Sequence, residues 1–349
     1  TPKSGVLPSQ PAGGLPAAAL FYRWRGCTGE ASGGVRLAAL LLSLTLFATH
    51  PAPGAAMADI LPVEPPEPVG IAYRETDQRL VLSINHPDGT PHNFATVDDV
   101  GALTVMPPTS GIPGEQKLAS IRSRGAGGVG GGFTLGHVFC GNGQPGKLHR
   151  LLADGSFALF ATLQGPDRTA AQTGRVRGLC HDQEGDVVGG DLIILTAGRD
   201  IWRVTAAGVP TRLGTLPVGS AEPEACLPVP NNPGKYGPAL AGKILVGADD
   251  NTGNNGLWIV NPALPPASAV TALPILVNGV PVPAEDLDLI KPGQNLYLTL
   301  PSEESPTGAG ALLRVPGSQF SGMADDILIT SEANRALYRL RYLSGQHVL

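Results

Sequence analysis

The chain has 349 residues, a formal net charge of -5 and only 15% charged residues. A mildly acidic chain without a Lys/Arg cluster interleaved with aromatics excludes a nucleic-acid-binding surface. At 42% hydrophobic it is too apolar for disorder, and its 47 glycines and 34 prolines point to many short strands joined by turns.

In chain order, residues 1–34 are Gly/Pro/Ala-rich without periodicity and read as an untranslated or disordered leader. Arg36 then precedes the apolar run LAALLLSLTLFA (37–48), and the small-residue segment PAPGAAMA ends at Ala58. This is the pattern of a secretory signal peptide over 35–58, with cleavage after Ala58. The run is too short for a transmembrane helix, which needs about 20 apolar residues. The expected product is therefore periplasmic or extracellular, with no permanent membrane span, and residues 59–349 read as one domain. Cys140, Cys180 and Cys226 remain after cleavage; they read as buried small hydrophobes, with one disulfide and one free thiol as the alternative in an oxidising compartment.

Beyond residue 58 the dominant signal is a strand that ends in a polar turn and is followed by a second strand. The first member reads LVLSIN (80–85), HVFCGN (137–142), DLIILTAG (191–198), KILVGADD (243–250), NLYLTLPSE (295–303) and DILITSE (326–332). The second reads KLHRL, DIWRV, GLWIV, ALLRV and ALYRL, with a degenerate copy near HNFATV. The second residues of the five clear copies, Leu148, Ile201, Leu257, Leu312 and Leu337, are 53, 56, 55 and 25 positions apart. A period near 50 with strand, turn, strand is the signature of propeller blades. His149, Trp202, Trp258 and Tyr338 share one register, which argues for packing between blades. A further segment, PVGIAY (68–73), VRGLCH (176–181), PEACLP (223–228) and AEDLDL (284–289), precedes the pair and reads as the innermost strand. The fold class is all-β, a six-bladed β-propeller, with five or seven blades as the alternative. The 25-residue spacing marks a short final blade, expected to be completed by a strand near Ile60–Val63.

At this point the chain resembles the secreted six-bladed propellers of the broad NHL, SMP-30 and gluconolactonase-like group. The carriers are RGLCHDQEGDVVGGDLIILTAGRDIWRV (177–204) and EACLPVPNNPGKYGPALAGKILVGADD (224–250). The resemblance is one of blade pattern, and no catalytic signature of one family is matched. It implies a divalent cation, Ca²⁺ first, held by carboxylate and amide oxygens at the channel mouth, where it would assist hydrolysis of a lactone or other ester.

Propeller geometry brings the leading ends of the inner strands and the turns between second and third strands to one face. The metal candidates there are Glu224, Glu285, Asp286, Asn142 and Asp249, with Asp250, Asn251, Glu303, Glu304 and Glu332 also at those turns. The catalytic candidates are Glu285, Arg177 and His181, the last as a general base. Arg177 pairing with Glu224 or Glu285 is the structural alternative, since buried charges need partners. The turn GADDNTGNNG (247–256) lacks the full calcium-loop spacing and reads as an Asx-rich turn. GAGGVG (125–130) satisfies G-x-G-x-x-G without a preceding strand or following helix, which excludes dinucleotide binding. The partner is then a small-molecule or glycan substrate. The alternative is a non-catalytic scaffold presenting loops 104–117 and 261–283 to a protein or glycan. A quinone-dependent dehydrogenase shares the fold class, but no residue requires that cofactor.

Overall fold

The computed structural model describes residues 17–19 and 58–349, apart from 88, 91, 108–111, 113, 125–129, 153, 250–254, 303, 304, 306, 307, 332, 333 and 335. Six four-stranded sheets form the blades. Each inner strand is short, and in four blades the chain runs outward through successive antiparallel neighbours. Blade 1 comprises Gly70–Arg74, Arg79–Ser83, Phe94–Val97 and Leu103–Val105. Blade 2 is Leu118–Ser120, Val138–Cys140, Lys147–Leu151 and Phe157–Thr162. Blade 3 is Val176–His181, Leu192–Thr196, Asp200–Val204 and Pro210–Thr215. Blade 4 is Pro223–Pro228, Ile244–Ala248, Gly256–Val260 and Val270–Leu273.

The last two blades interleave. Asp286–Leu289 is the inner strand of blade 5, yet it pairs with Ile327–Ser331, and that sheet continues through Ala336–Leu343 and Gln346–Val348. Between those paired strands the chain crosses to the neighbouring position and lays down the hairpin Asn295–Leu300 and Ala311–Val315 of blade 6. Blade 6 is completed outside by Asp59–Ile60, antiparallel to Ala311–Val315, and inside by Ala17–Ala19, parallel to Asn295–Tyr297. The N-terminal closure is present, but it completes the blade of the inserted hairpin. The blade at the C-terminus has its own four strands, so the 25-residue spacing reflects insertion.

The second and third strands are the buried middle of each sheet. Leu192–Thr196 and Ile244–Ala248 are buried at every residue, as near-continuous apolar runs require when both faces are covered by neighbouring blades. The shared register of the repeat is real: His149 pairs Cys140, Trp202 pairs Ile194, Trp258 pairs Val246 and Tyr338 pairs Ile329. Two blades also repeat an ion pair across these strands, with Arg203 Nε 2.5 Å from Asp191 and Arg339 Nε 2.5 Å from Asp326. Among the described residues no helix is long and apolar enough to cross a membrane.

Inner strands meet around the axis at close range. A Cβ at Gly178 would collide with the Glu224 carbonyl, and one at Gly70 with the Gln116 carbonyl. Ser83 Oγ accepts from Gly70 N and donates to the Gln116 carbonyl, both at 2.8 Å, which fastens blade 1 to blade 2. Blades 3 and 4 are joined covalently by a disulfide between Cys180 and Cys226, while Cys140 is a buried free thiol. Of the two readings of the cysteines, the disulfide is the one observed.

Candidate functional site in the propeller channel

The leading ends of the inner strands gather a buried charge cluster. Arg177 and Glu224 each sit at a register shift where the inner strand meets the second strand, between Val176 and Gly178 and between Pro223 and Ala225. A bulge takes one residue out of strict alternation, so its side chain can be aimed off the sheet faces. Glu285 lies just before the first residue of Asp286–Leu289, its backbone N–H donating to Thr330 O at 2.9 Å. Alternation has not yet begun there, which explains how a carboxylate enters an otherwise leucine-rich segment.

Lys117 stands at the centre. Its ammonium donates to Glu285 Oε1 at 2.8 Å and to the Glu285 carbonyl at 2.9 Å. It is 3.4 Å from Glu224 Oε2 and 3.7 Å from Glu115 Oε1. Arg177 forms the second cationic pole, paired with Glu224, with Glu222 at 3.0 Å and with Glu115 at 3.6 Å. Glu115, Lys117, Glu224 and Glu285 are all buried, the last only 2% exposed. Burial pushes the Glu285 carboxyl above its ordinary value; Lys117 pulls it back and the Glu115 charge adds to the rise. Burial alone would lower Lys117, but Glu285, Glu115 and Asp286 together outweigh it and hold its pKa above the usual lysine value.

Glu115, Glu224 and Glu285 offer one oxygen each within 4.8 Å of one another, the one such carboxylate group among the described residues that could hold a metal ion. In this geometry the cation they surround is the Lys117 ammonium. Of the residues predicted as metal ligands, Glu224 and Glu285 come together here. Asn142 instead caps a turn, its Oδ1 accepting from Gln144 N at 3.1 Å. Asp249 is buried near Glu222, whose carbonyl accepts its N–H at 3.2 Å, and Asp286 points toward the channel. Asp250, Asn251, Glu303, Glu304 and Glu332 lie outside the described residues, as do residues 35–57 of the expected signal peptide. Glu115 and Lys117 were missed from sequence because no inner strand was recognised in EQKLAS. Its signal was the position, ahead of HVFCGN, that the other inner strands occupy ahead of their partners.

A cavity of about 610 Å³ occupies the channel from this cluster toward the trailing ends of the inner strands. Blade 1 contributes Tyr73 and Glu75, blade 2 Arg122 and Arg124, blade 3 His181 and Asp182, blade 4 Pro228, and blade 5 Asp286 and Asp288; Lys117 and Glu224 line its inner end. The cavity thus extends away from the mouth at which the sequence placed its candidates. Asp182 is structural: its Oδ2 accepts from the backbone N–H groups of Val187, Val188 and Gly190 at 2.7–3.1 Å, fixing the rim loop.

Two titratable groups in the cavity behave differently. Burial pushes the Asp288 carboxyl up to about 6, against the opposing charges of Arg122 and Lys291. Burial lowers His181 to about 4, so its ring is neutral near pH 7. Its Nε2 lies 3.2 Å from the Gly190 carbonyl and the ring packs edge-on against Phe133. With Nε2–H donating to that carbonyl, Nδ1 carries the lone pair, and Nδ1 is buried without a partner. A base of that strength, facing no solvent, is poorly placed to take a substrate proton.

No protein-family model matches the chain, and no curated protein matches it. Solved structures similar to it include a gluconolactonase from Xanthomonas campestris at 12% identity and TM-score 0.45, covering 82% of this chain and 90% of that one. A virginiamycin B lyase from Staphylococcus aureus is 13% identical with TM-score 0.41, over 83% and 86% of the two chains. An auxiliary nutrient binding protein from Bacteroides ovatus is 9% identical with TM-score 0.47, over 77% and 58%.

Proposed function

We propose that this chain is an exported six-bladed propeller that binds a small polar molecule in its channel. The observation that carries the reading is the cavity of about 610 Å³. Its size suits a small ligand, and charged or hydrogen-bonding side chains from five blades converge on it. The Lys117–glutamate cluster serves as its rigid floor. A thermal-shift screen of small polar molecules, with hits titrated calorimetrically, tests this: one saturable site is expected, weakened about tenfold by Asp288→Leu, on the scale of one lost hydrogen bond to a charged group. No saturable binding to any member of the screen sinks the reading.

A second reading, hydrolysis of a lactone or other ester, is favoured by one observation: an acid raised to about 6 in a cavity is suited to shuttle a proton near neutral pH. Asp288 would carry that proton while the floor and Arg122 bind the substrate. A divalent ion would polarise the carbonyl if Glu115, Glu224 and Glu285 held one. The donor set does not fit a resident ion while Lys117 stands between them, so no step here depends on a metal. Export is supported by the Cys180–Cys226 disulfide, a bond characteristic of oxidising compartments. N-terminal sequencing of secreted protein should begin at Asp59; a retained leader in recovered active protein would overturn the export reading.

A further inference from the structure

Two guanidinium groups of the channel cavity have no carboxylate partner among the described residues. Arg122 and Arg124 follow the inner strand Leu118–Ser120 of blade 2, and both are half-buried. Arg122 lies over Tyr73, its guanidinium carbon 5.9 Å from the ring centroid; its charge bears on Asp288, but it forms no direct ion pair among the described residues. Arg124 Nε is shut off from solvent without a hydrogen-bond partner. Glycines make room for it: a Cβ at Gly130 would come within 2.9 Å of its terminal nitrogen, and one at Gly185 would collide with the same atom. The other basic groups of the cavity are engaged, Lys117 with its glutamates and Lys291 with Asp325 at 3.2 Å. Glu184 and Asp186 belong to the rim loop and pair with neither arginine.

Desolvating a guanidinium without an anion is costly, and its fork of donors matches a carboxylate in two-point fashion. Blade 5 supplies the complementary side. Asp288 Oδ1 accepts from Leu289 N at 2.7 Å, while the remaining oxygen has no partner among the described residues and is available to accept from a ligand hydroxyl. We propose that the cavity takes a small polyhydroxylated carboxylate of the hexuronate type, with its carboxylate held by Arg122 and Arg124 and a hydroxyl donating to Asp288. A simple anion would satisfy only the arginine side, and a neutral sugar only the aspartate side. The proposal rests on the reading of the cavity as the ligand site and specifies the ligand.

The test is calorimetric titration of the chain with D-glucuronate against D-glucose and with D-galacturonate against D-galactose, pairs that differ in the carboxylate alone. Each acid is expected to bind at least about tenfold more tightly than its neutral partner, as for a charge-assisted bidentate contact. Arg122→Gln should abolish that preference with a melting temperature within about 2 °C of the parent, the scale expected of a half-exposed substitution. Arg122→Lys, keeping charge without the fork, should retain part of it. Equal binding of acid and neutral sugar overturns the arginine assignment while leaving the cavity as the ligand site. Sulfate binding as tightly as the acids overturns the hydroxyl side. No binding of any of these probes overturns the proposal; if the broader screen of polar molecules is also empty, the cavity reading falls with it.

Discussion

Replacing Lys117 with methionine isolates what the cluster does. Methionine keeps the length and most of the volume of the stem, so the change removes a charge and little packing. The ammonium contacts carboxylate oxygens at 2.8, 3.4 and 3.7 Å from three glutamates, all buried. Removing one partner of a buried ionic group costs about 3–5 kcal/mol, because the remaining charges stay desolvated. With about 2 cal/mol/K of unfolding entropy per residue, that corresponds to roughly 5–8 °C in Tm for a propeller of this size. The pH dependence has a definite sign. Lys117 is a strong pull on the Glu285 carboxyl, so without it Glu285 rises further above the ordinary value of 4.5. Between that ordinary value and the raised one, the folded variant binds more protons than the unfolded chain, and its stability falls as pH climbs. The deficit against the parent should therefore be smaller at pH 5 than at pH 8. Lys117 itself, raised above 10.5, contributes fully below that value and is lost only as pH rises through its raised pKa. Urea unfolding of both proteins at pH 5 and 8 measures all of this. A deficit below about 1 kcal/mol at pH 8, or one that grows toward acid, refutes the placement of the ammonium among charged glutamates.

The same substitution should create a cation site: calcium should raise the melting temperature of K117M and leave the parent unchanged, and a chelator should have no effect on the parent, as thermal melts in each condition would show. Asp288→Asn should remove any inflection near pH 6 from the pH profile of ligand binding or ester hydrolysis; an unchanged profile assigns the inflection elsewhere. Because burial raises this carboxyl, the parent should lose stability relative to the asparagine variant as pH rises from about 4 through 6, by about 1–2 kcal/mol after discounting for partial exposure. The disulfide closes a loop of 46 residues, for which chain entropy gives about 4 kcal/mol, so C180S/C226S should lower stability by about 2–4 kcal/mol in denaturant unfolding. Gly178→Ala, which places a methyl against the Glu224 carbonyl, should cost about 1–3 kcal/mol by the same measurement.

The repeat was legible because its strands are buried on both faces and carry the same residue types in the same register, as Trp202, Trp258 and Tyr338 do. The interleaving of blades 5 and 6 was not: a period argument takes neighbours in sequence as neighbours in the sheet, and Asp286–Leu289 finds its partner beyond an intervening hairpin. Arg177, Glu224 and Glu285 could be placed at strand starts from the shared segment they begin. Their partners Glu115 and Lys117 could not, because the inner strand of blade 2 is only three residues long and has no alternation to read. The choice between Arg177 and a metal as partner of these glutamates likewise omitted the lysine between them. Asp288, which alternates with the buried leucines of Asp286–Leu289, lines the cavity. The cavity was not legible, because acidic turns are visible in a sequence, whereas Arg122, Arg124 and Asp288 come to line one cavity only after the ring closes.

Occupation of the cavity at the trailing ends of the inner strands is tested most directly by hydrogen–deuterium exchange with and without the strongest ligand from the screen. Protection should appear at 120–124, 181–186 and 286–291. Protection confined to 64–69, 112–117 and 221–224, around the charge cluster, would contradict it.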